Sequence, residues 1–549
     1  MADLTKLPQA AKLCLPSGVT DHHGKDAFEV RFGTATLEAT PTGSVKHTTN
    51  GDEERYADKS GTYTKCLKQK GYGVVDPNAF KLFRTALGTA DGTTLGTADF
   101  EVAGLLGAGR KLNGPLGAFA LTLDGADSQR FGTPLIPPAP KLASPEYATE
   151  LVELYWASLL RDVPFTDYET NATAIAAANE LTQLAATYAG PTDNGKVTPR
   201  LLFRGGLTLP GKKGKEPTTY FAGENIGPYI SQLCIRPTNL GVQTLDQRMQ
   251  TYVPGIDYLV DLSAWQAVQN GVTPTATNIP DEKRRYLHNG RALAAFTHVD
   301  ELYQAYLTAY LVLNTLNIEA NNTSPYNSYK NQQPFGTFGG PDIVATLGAV
   351  ARAAINAVWY QKWIVHLRHR PESGGGIVHL MKTSLGATDG KVDPLVLYSV
   401  ALHLSHLRNG SFFLSQAFPE GSPAHPAYPT GHGTVAGACI TLLKFFFNGE
   451  ATIPNPMVAS GDGLSLEPYN GADSGQMTVN GELHKLAHNI SFGHGVHAGI
   501  HWRSDTDYSI LLGESVALRF LQDQAFTYQE DFAVSLTKLD GTLVTIRNY

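Results

Sequence analysis

The stretch His425-Pro-Ala-Tyr-Pro-Thr430-Gly-His432-Gly-Thr434 runs directly into Val435, Ala438, Cys439, Leu442, Leu443 and Phe446. Apolar residues at three- and four-residue steps define one face of a helix, so the Pro/Gly-rich segment before them is a helix N-terminus. Thr430 suits the N-cap, with its hydroxyl turned to the free N–H groups of the first turn. Those N–H groups from Gly431 onward, together with the positive dipole end, make an anion site, and the glycine lets an oxyanion come close. His432 falls in that first turn, beside any anion bound there. Taken alone, the segment fits a plain structural cap with an incidental histidine equally well.

Helical periods extend outward from this helix on both sides. Residues 146–160, 174–188, 299–317, 342–367, 432–447 and 507–521 each carry apolar residues at helical steps, which predicts a mainly α fold. The C-terminus adds minor β structure: Val534, Leu536 and Leu539, then Leu543, Val544 and Ile546, flank Asp540-Gly541, a pair that favours a two-residue type I′ hairpin turn. With no repeat or long linker, 1–549 reads as one large unit. Within it, residues 1–290 carry no readable function, and residues 291–549 carry the candidate chemistry. Phe28, Val30 and Phe32 alternate as in a strand, Lys212, Lys213 and Lys215 read as a solvated loop, and Gly107, Gly109 and Gly114 do not complete a dinucleotide fingerprint.

The 549 residues have a net charge of −7, with 42% hydrophobic and 17% charged residues, which excludes disorder for most of the chain. Such a balance gives no whole-chain attraction to nucleic acid or an anionic membrane, and so little solvated charge fits burial in subunit contacts. Cys14, Cys66, Cys234 and Cys439 form no CxxC pair; this excludes a clustered thiolate zinc site and leaves room for one or two long-range disulfides. The N-terminus lacks the apolar core of a signal peptide, and the run 302–318 is broken by Gln304, Asn314 and Asn317. A soluble protein follows, with its location open.

Two further clusters could carry chemistry. Lys362 and Arg370 flank the end of a helix closed by Pro371, and they converge on one pocket only if the backbone bends there. Bases that complement a helix dipole are the plainer reading. His488, His494, His497 and His501 crowd the segment before Trp502-Arg503-Ser504-Asp505. In a helix, His494, His497 and His501 would share a face and could bind a divalent metal, although no glutamate sits between them and Gly493, Gly495 and Gly499 argue for an interrupted or tightly packed helix.

In order, Lys362 with Arg370-Pro371, then Pro429-Thr430-Gly431-His432, then His501 before Trp-Arg-x-Asp resemble the vanadium-dependent haloperoxidases of the bromoperoxidase type. This family shares a superfamily with type 2 phosphatidic acid phosphatases and bacterial acid phosphatases. The motifs cover roughly the second half of the chain. The resemblance implies a helical-bundle haloperoxidase fold and a vanadate cofactor: Lys362, Arg370, Thr430 and Gly431 would bind its oxygens, His501 would ligate vanadium, and His432 would be the acid/base group. It also implies hydrogen peroxide, bromide and small organic acceptors as reactants, hypobromous acid as product, and a homo-oligomer as large as the dodecameric shells of red-algal relatives. His425 matches a histidine typical of the bromoperoxidases and, seven residues from His432, is expected to perturb its titration.

Two departures stand out. Thr430 replaces the usual serine and keeps the hydroxyl. The arginine normally six residues before the ligand histidine is absent: either His494 stands in for it, or the loop carries an insertion and Arg503 or another base fills the place. The rival functions are an acid phosphatase with His501 as nucleophile and a non-catalytic anion-binding shell.

Overall fold

The computed structural model describes residues 47–88, 100–120, 136–209, 218–386 and 391–549, with Asp26, Ala27, Glu29 and Gly33. Cys14, Phe28, Val30, Phe32, Lys212, Lys213 and Lys215 lie outside the described residues. The helices that position the site are α1 (Pro145–Leu160), α2 (Ala172–Gln183), α3 (Gly290–His298), α4 (Gln304–Thr315), α5 (Gly340–Tyr360), α6 (Pro371–Lys382), α7 (Gly431–Phe446), α8 (Val479–Phe492) and α9 (Arg503–Ala525). Strands among the described residues form only two-stranded antiparallel pairs, including β1 (Met249–Tyr252) with β2 (Pro280–Arg285) and β3 (Ala533–Thr537) with β4 (Leu543–Arg547).

Helix α7 is the axis of the molecule, with all 16 of its residues buried. It packs against α5, α8 and α9. A β-carbon at Gly437 would lie 2.0 Å from the Ile510 carbonyl oxygen, and one at Gly513 would lie 2.1 Å from that of Thr434. Only glycine at both positions lets the backbones of α7 and α9 approach this closely. The main core draws side chains from Leu142 through to Ile546, on both sides of residue 290.

Several elements differ from expectation for local reasons. The apolar period over 299–317 is only partly helical: the Asn289 side chain caps Ala292 and starts α3, which ends at His298 before that stretch begins, and α4 runs only from Gln304 to Thr315. The intervening turn carries Asp300. Helix α2 stops at Gln183, short of Tyr188. Pro371 opens α6 as its first residue; the preceding helix ends earlier, through a single π-turn over Gln361–His366 closed by Leu367 in the left-handed region at φ 45°. The C-terminal hairpin exists, but its turn is a type I turn followed by a bulge, with Gly541 N–H donating to Lys538 O and Gly541 alone at positive φ of 78°.

Cys66, Cys234 and Cys439 are free and buried. Among the described residues, the helix long and apolar enough to cross a membrane by length and composition is Gly340–His366, rather than the 302–318 run, and half of its apolar window is buried. In this fold it packs against α7 and α9.

Candidate active site

The elbow between α5 and α6 brings two cations together. The π-turn rotates Lys362 into the interior, where Nζ donates to the carbonyls of Pro426 (2.9 Å) and Ala427 (2.7 Å). Burial, reinforced by Arg370, holds its pKa well below the usual lysine range. Arg370 reaches the same segment from the start of α6, donating through Nε to His425 O and through Nη1 to Ile500 O, both at 2.9 Å. Its pKa is lowered to about 10, chiefly by burial, so it remains charged. The hydrogen bonds that both cations make go to carbonyls and imidazoles, which leaves their charge for an incoming anion.

His501 faces this pair. Its Nε2 accepts from Arg370 Nη1 at 2.7 Å, and Nδ1 donates to Asp505 Oδ2 at 2.9 Å. The second contact fixes the proton on Nδ1 and leaves the lone pair on Nε2. Burial first, then Arg370 and Lys362, hold the ring well below its usual pKa, so it stays neutral. Asp505 is itself held by the Trp502 N–H (3.0 Å) and Arg368 (2.7 Å), and Arg368 pairs at 2.9 Å with the buried Glu150.

Thr430 occupies the N-cap of α7, yet its hydroxyl caps nothing: Oγ1 is buried without a partner. A buried, unsatisfied hydroxyl is costly unless a ligand takes it. His432, two residues on, points Nε2 at Asp300 Oδ1 (3.0 Å) and stacks on His494 with ring centroids 3.8 Å apart. His425 is elsewhere, accepting from Arg370 Nη2 at 2.9 Å and lying 4.7 Å from the Trp359 ring. Its pKa is held well below the usual range by burial, Arg370, Lys362 and His501, so the expected His425–His432 pair is replaced by His494–His432.

The four clustered histidines have separate fates. His494 joins the site, 5.6 Å from the His501 ring. His497 turns away, bonded to Tyr229 OH at 2.9 Å and edged by Phe165 and Phe203. No divalent-metal face forms, because the π-turn Gly493–His497 and the turn after it destroy the three-and-four spacing; among the described residues no group of three or more His, Cys, Asp or Glu is placed to hold a metal ion. His488 is buried between Glu224 and Asp507, each 3.1 Å away. Burial opposes its charge, but the two carboxylates overcome this and push its pKa up to about 9.

A folded-state pKa raised above the unfolded value near 6.5 stabilises the fold fully below that value, and the stabilisation is lost as pH climbs through the folded pKa. The thermal midpoint is therefore expected to fall progressively between about pH 6.5 and 9, by an amount on the order of 3 kcal/mol in stability. In His488→Gln the part of that fall due to His488 should be lost; equal slopes in calorimetric scans would refute it.

No protein-family model matches the chain. It is 32% identical over 550 residues to the vanadium-dependent bromoperoxidase of Ascophyllum nodosum, covering 95% of this chain and 92% of the relative. To the vanadium-dependent bromoperoxidase of Corallina officinalis it is 31% identical over 618 residues, covering 97% of this chain and all of the relative. The chain belongs to the vanadium-dependent bromoperoxidases. A homohexameric second vanadate-dependent bromoperoxidase of A. nodosum superposes with a TM-score of 0.85 at 27% identity, covering 99% of this chain and 95% of that one.

For this family member, the choice between His494 and Arg503 becomes a matter of geometry. Arg503 is locked to Glu153 and to the Arg204 carbonyl away from His501, so it fills no gap. His494 donates through Nδ1 to Thr297 O at 3.3 Å, which leaves Nε2 unprotonated, and burial with His432 holds the ring well below its usual pKa. As a neutral ring it can donate to an oxyanion only by gaining a proton. Asp300, Arg368 and Glu150 were not singled out by sequence; Asp505 had a visible signal, four residues after His501, whereas Asp300 lies 132 residues from His432 with none.

Proposed function

We propose that the chain oxidises bromide with hydrogen peroxide at a vanadate held by His501, giving hypobromous acid that halogenates small organic acceptors. The carrying observation is the convergence of Lys362, Arg370, the unpartnered Thr430 hydroxyl and the neutral His501 on one place at the start of α7. These residues fit the group: an oxyanion needs several fixed donors around a nucleophilic nitrogen. Bound there, vanadate supplies a Lewis acid that activates peroxide without changing oxidation state.

The chain's own residues do the rest. Lys362 and Arg370 neutralise oxyanion charge, Thr430 Oγ1 and the Gly431 N–H donate further bonds, and Asp505 keeps His501 Nε2 free of a proton. His432 holds and returns the proton at Nδ1, because Nε2 is committed to Asp300. His425 accepts from Arg370 Nη2 and so helps to hold the guanidinium where it is. The test sets bromination of a phenolic dye, with vanadate, bromide and peroxide, beside hydrolysis of a phosphate monoester. Bromination without hydrolysis is expected; hydrolysis alone would make the protein a phosphatase.

His494→Arg places a permanent charge where the neutral ring sits. Titration of the apo-protein at pH 6 and pH 8 should show vanadate affinity falling with pH in the parent and less so in the variant. Equal affinities in all four titrations would remove His494 from the site.

The chain is further proposed to assemble as a closed homo-oligomer, up to the dodecamer, a reading supported by the homohexamer of the structural relative. Light scattering should give an integer multiple of 59.1 kDa, six- or twelvefold; a single 59.1 kDa particle would defeat it.

A further inference from the structure

The last turn of α3 serves the site from outside it. Thr297 gives its carbonyl to His494 Nδ1 (3.3 Å), and Asp300 gives its carboxylate to His432 Nε2 (3.0 Å). Between them, His298 points the other way, into a clamp. Its Nδ1 accepts from Tyr252 OH at 2.7 Å, and its Nε2 donates to Glu420 Oε1 at 2.6 Å. One face of the ring lies flat on Phe418, centroids 3.8 Å apart with an 8° interplanar angle. Glu420 is anchored in turn, its carbonyl accepting from Lys65 (2.9 Å) and Arg110 (3.3 Å).

We infer that His298, gripped by Tyr252, Glu420 and Phe418, is a positioning residue for the reaction, fixing the end of α3 so that Asp300 reaches His432 and Thr297 O reaches His494. The helix has already ended at His298 and Val299 is 78% exposed, so on the helix side of Asp300 neither helical hydrogen bonding nor Val299 holds it, while on the other side Leu302 packs against the main core. The second oxygen of Asp300, Oδ2, is buried without a partner, so the carboxylate has no other anchor within the described residues. On the helix side, position then comes from the residue two before it. This inference rests on the reading of His432 as the acid/base group.

The test uses the full-length protein with His298→Ala, His298→Gln, Glu420→Gln, Asp300→Asn and the His298→Ala/Asp300→Asn double variant. Outer-shell partners of a reactive centre typically contribute 10- to 100-fold, so His298→Ala is expected to lower kcat for bromide oxidation about 10-fold while bromide KM and vanadate affinity stay within about twofold. His298→Gln, which keeps a donor toward Glu420, should recover most of that loss. The double variant should be no slower than Asp300→Asn, because both changes remove one contact. Independently of turnover, hydrogen exchange of the 295–303 segment in the vanadate-free protein should quicken in His298→Ala and in Glu420→Gln. Additive losses, a change confined to KM, or unchanged exchange in both variants would overturn the inference. A parent that brominates nothing would sink the functional reading instead, and the exchange measurement would still decide for or against the clamp.

Discussion

His501→Ala is expected to abolish bromide oxidation and vanadate binding while leaving the fold intact. The imidazole is a neutral nitrogen base pressed against Arg370, and its lone pair is oriented from behind by Asp505. Removing it deletes the nitrogen proposed to ligate vanadium, for an expected loss of several kcal/mol of charge stabilisation, or on the order of 10³-fold or more in rate. The surroundings survive: Arg370 Nη1 keeps the Ile500 carbonyl, and Asp505 keeps Trp502 N–H and Arg368. Circular dichroism should therefore be unchanged while vanadate titration shows no saturable site. Asp505→Asn should sit between, losing roughly 10- to 100-fold, because the ligand stays but its tautomer is no longer enforced. Full activity in His501→Ala would remove the residue from the mechanism.

His432→Ala should cost far more turnover than His425→Ala, about 10²- to 10⁴-fold as expected for loss of a general acid/base, against less than about 10-fold. His432 has one ring nitrogen on Asp300 and the other uncommitted, the arrangement of a residue that exchanges a proton. His425 is held well below the usual imidazole range, so it is neutral throughout the working pH and acts as a hydrogen-bond acceptor for Arg370. A reversal of the two losses would mean that the proton moves through His425.

Lys362, Arg370, Thr430, Gly431, His432 and His501 were all legible as candidates in the sequence, because each lies on a short local motif and the three motifs in that order resemble one family; the local spacing of each alone left plainer readings open. The helical class and the C-terminal hairpin were legible for the same reason, since apolar periodicity is a local record of which face is buried. Boundaries were not: the 299–317 period concealed a turn, and the helix before it, ending at His298, gave no separate signal; the turn that carries Asp300 sets the two helices apart. The offset from His501 pointed to His494, but the three-and-four histidine spacing alone did not tell it from His497, which turns away. That outcome depends on the π-turn over Gly493–His497, which rotates neighbouring side chains to opposite sides.

By itself, then, the sequence determined the inventory of donors and their order along the chain, together with the helix N-terminus that collects an anion. Tertiary structure alone decided their charge states and distant partners. Burial in the α5–α6 elbow and around α7 holds Lys362 and His501 below their usual pKa, leaves Thr430 Oγ1 unsatisfied, and brings Asp300 to His432 and Arg370 to His501. Desolvation and contacts across more than a hundred residues are properties of packing, and no local pattern of residues encodes them.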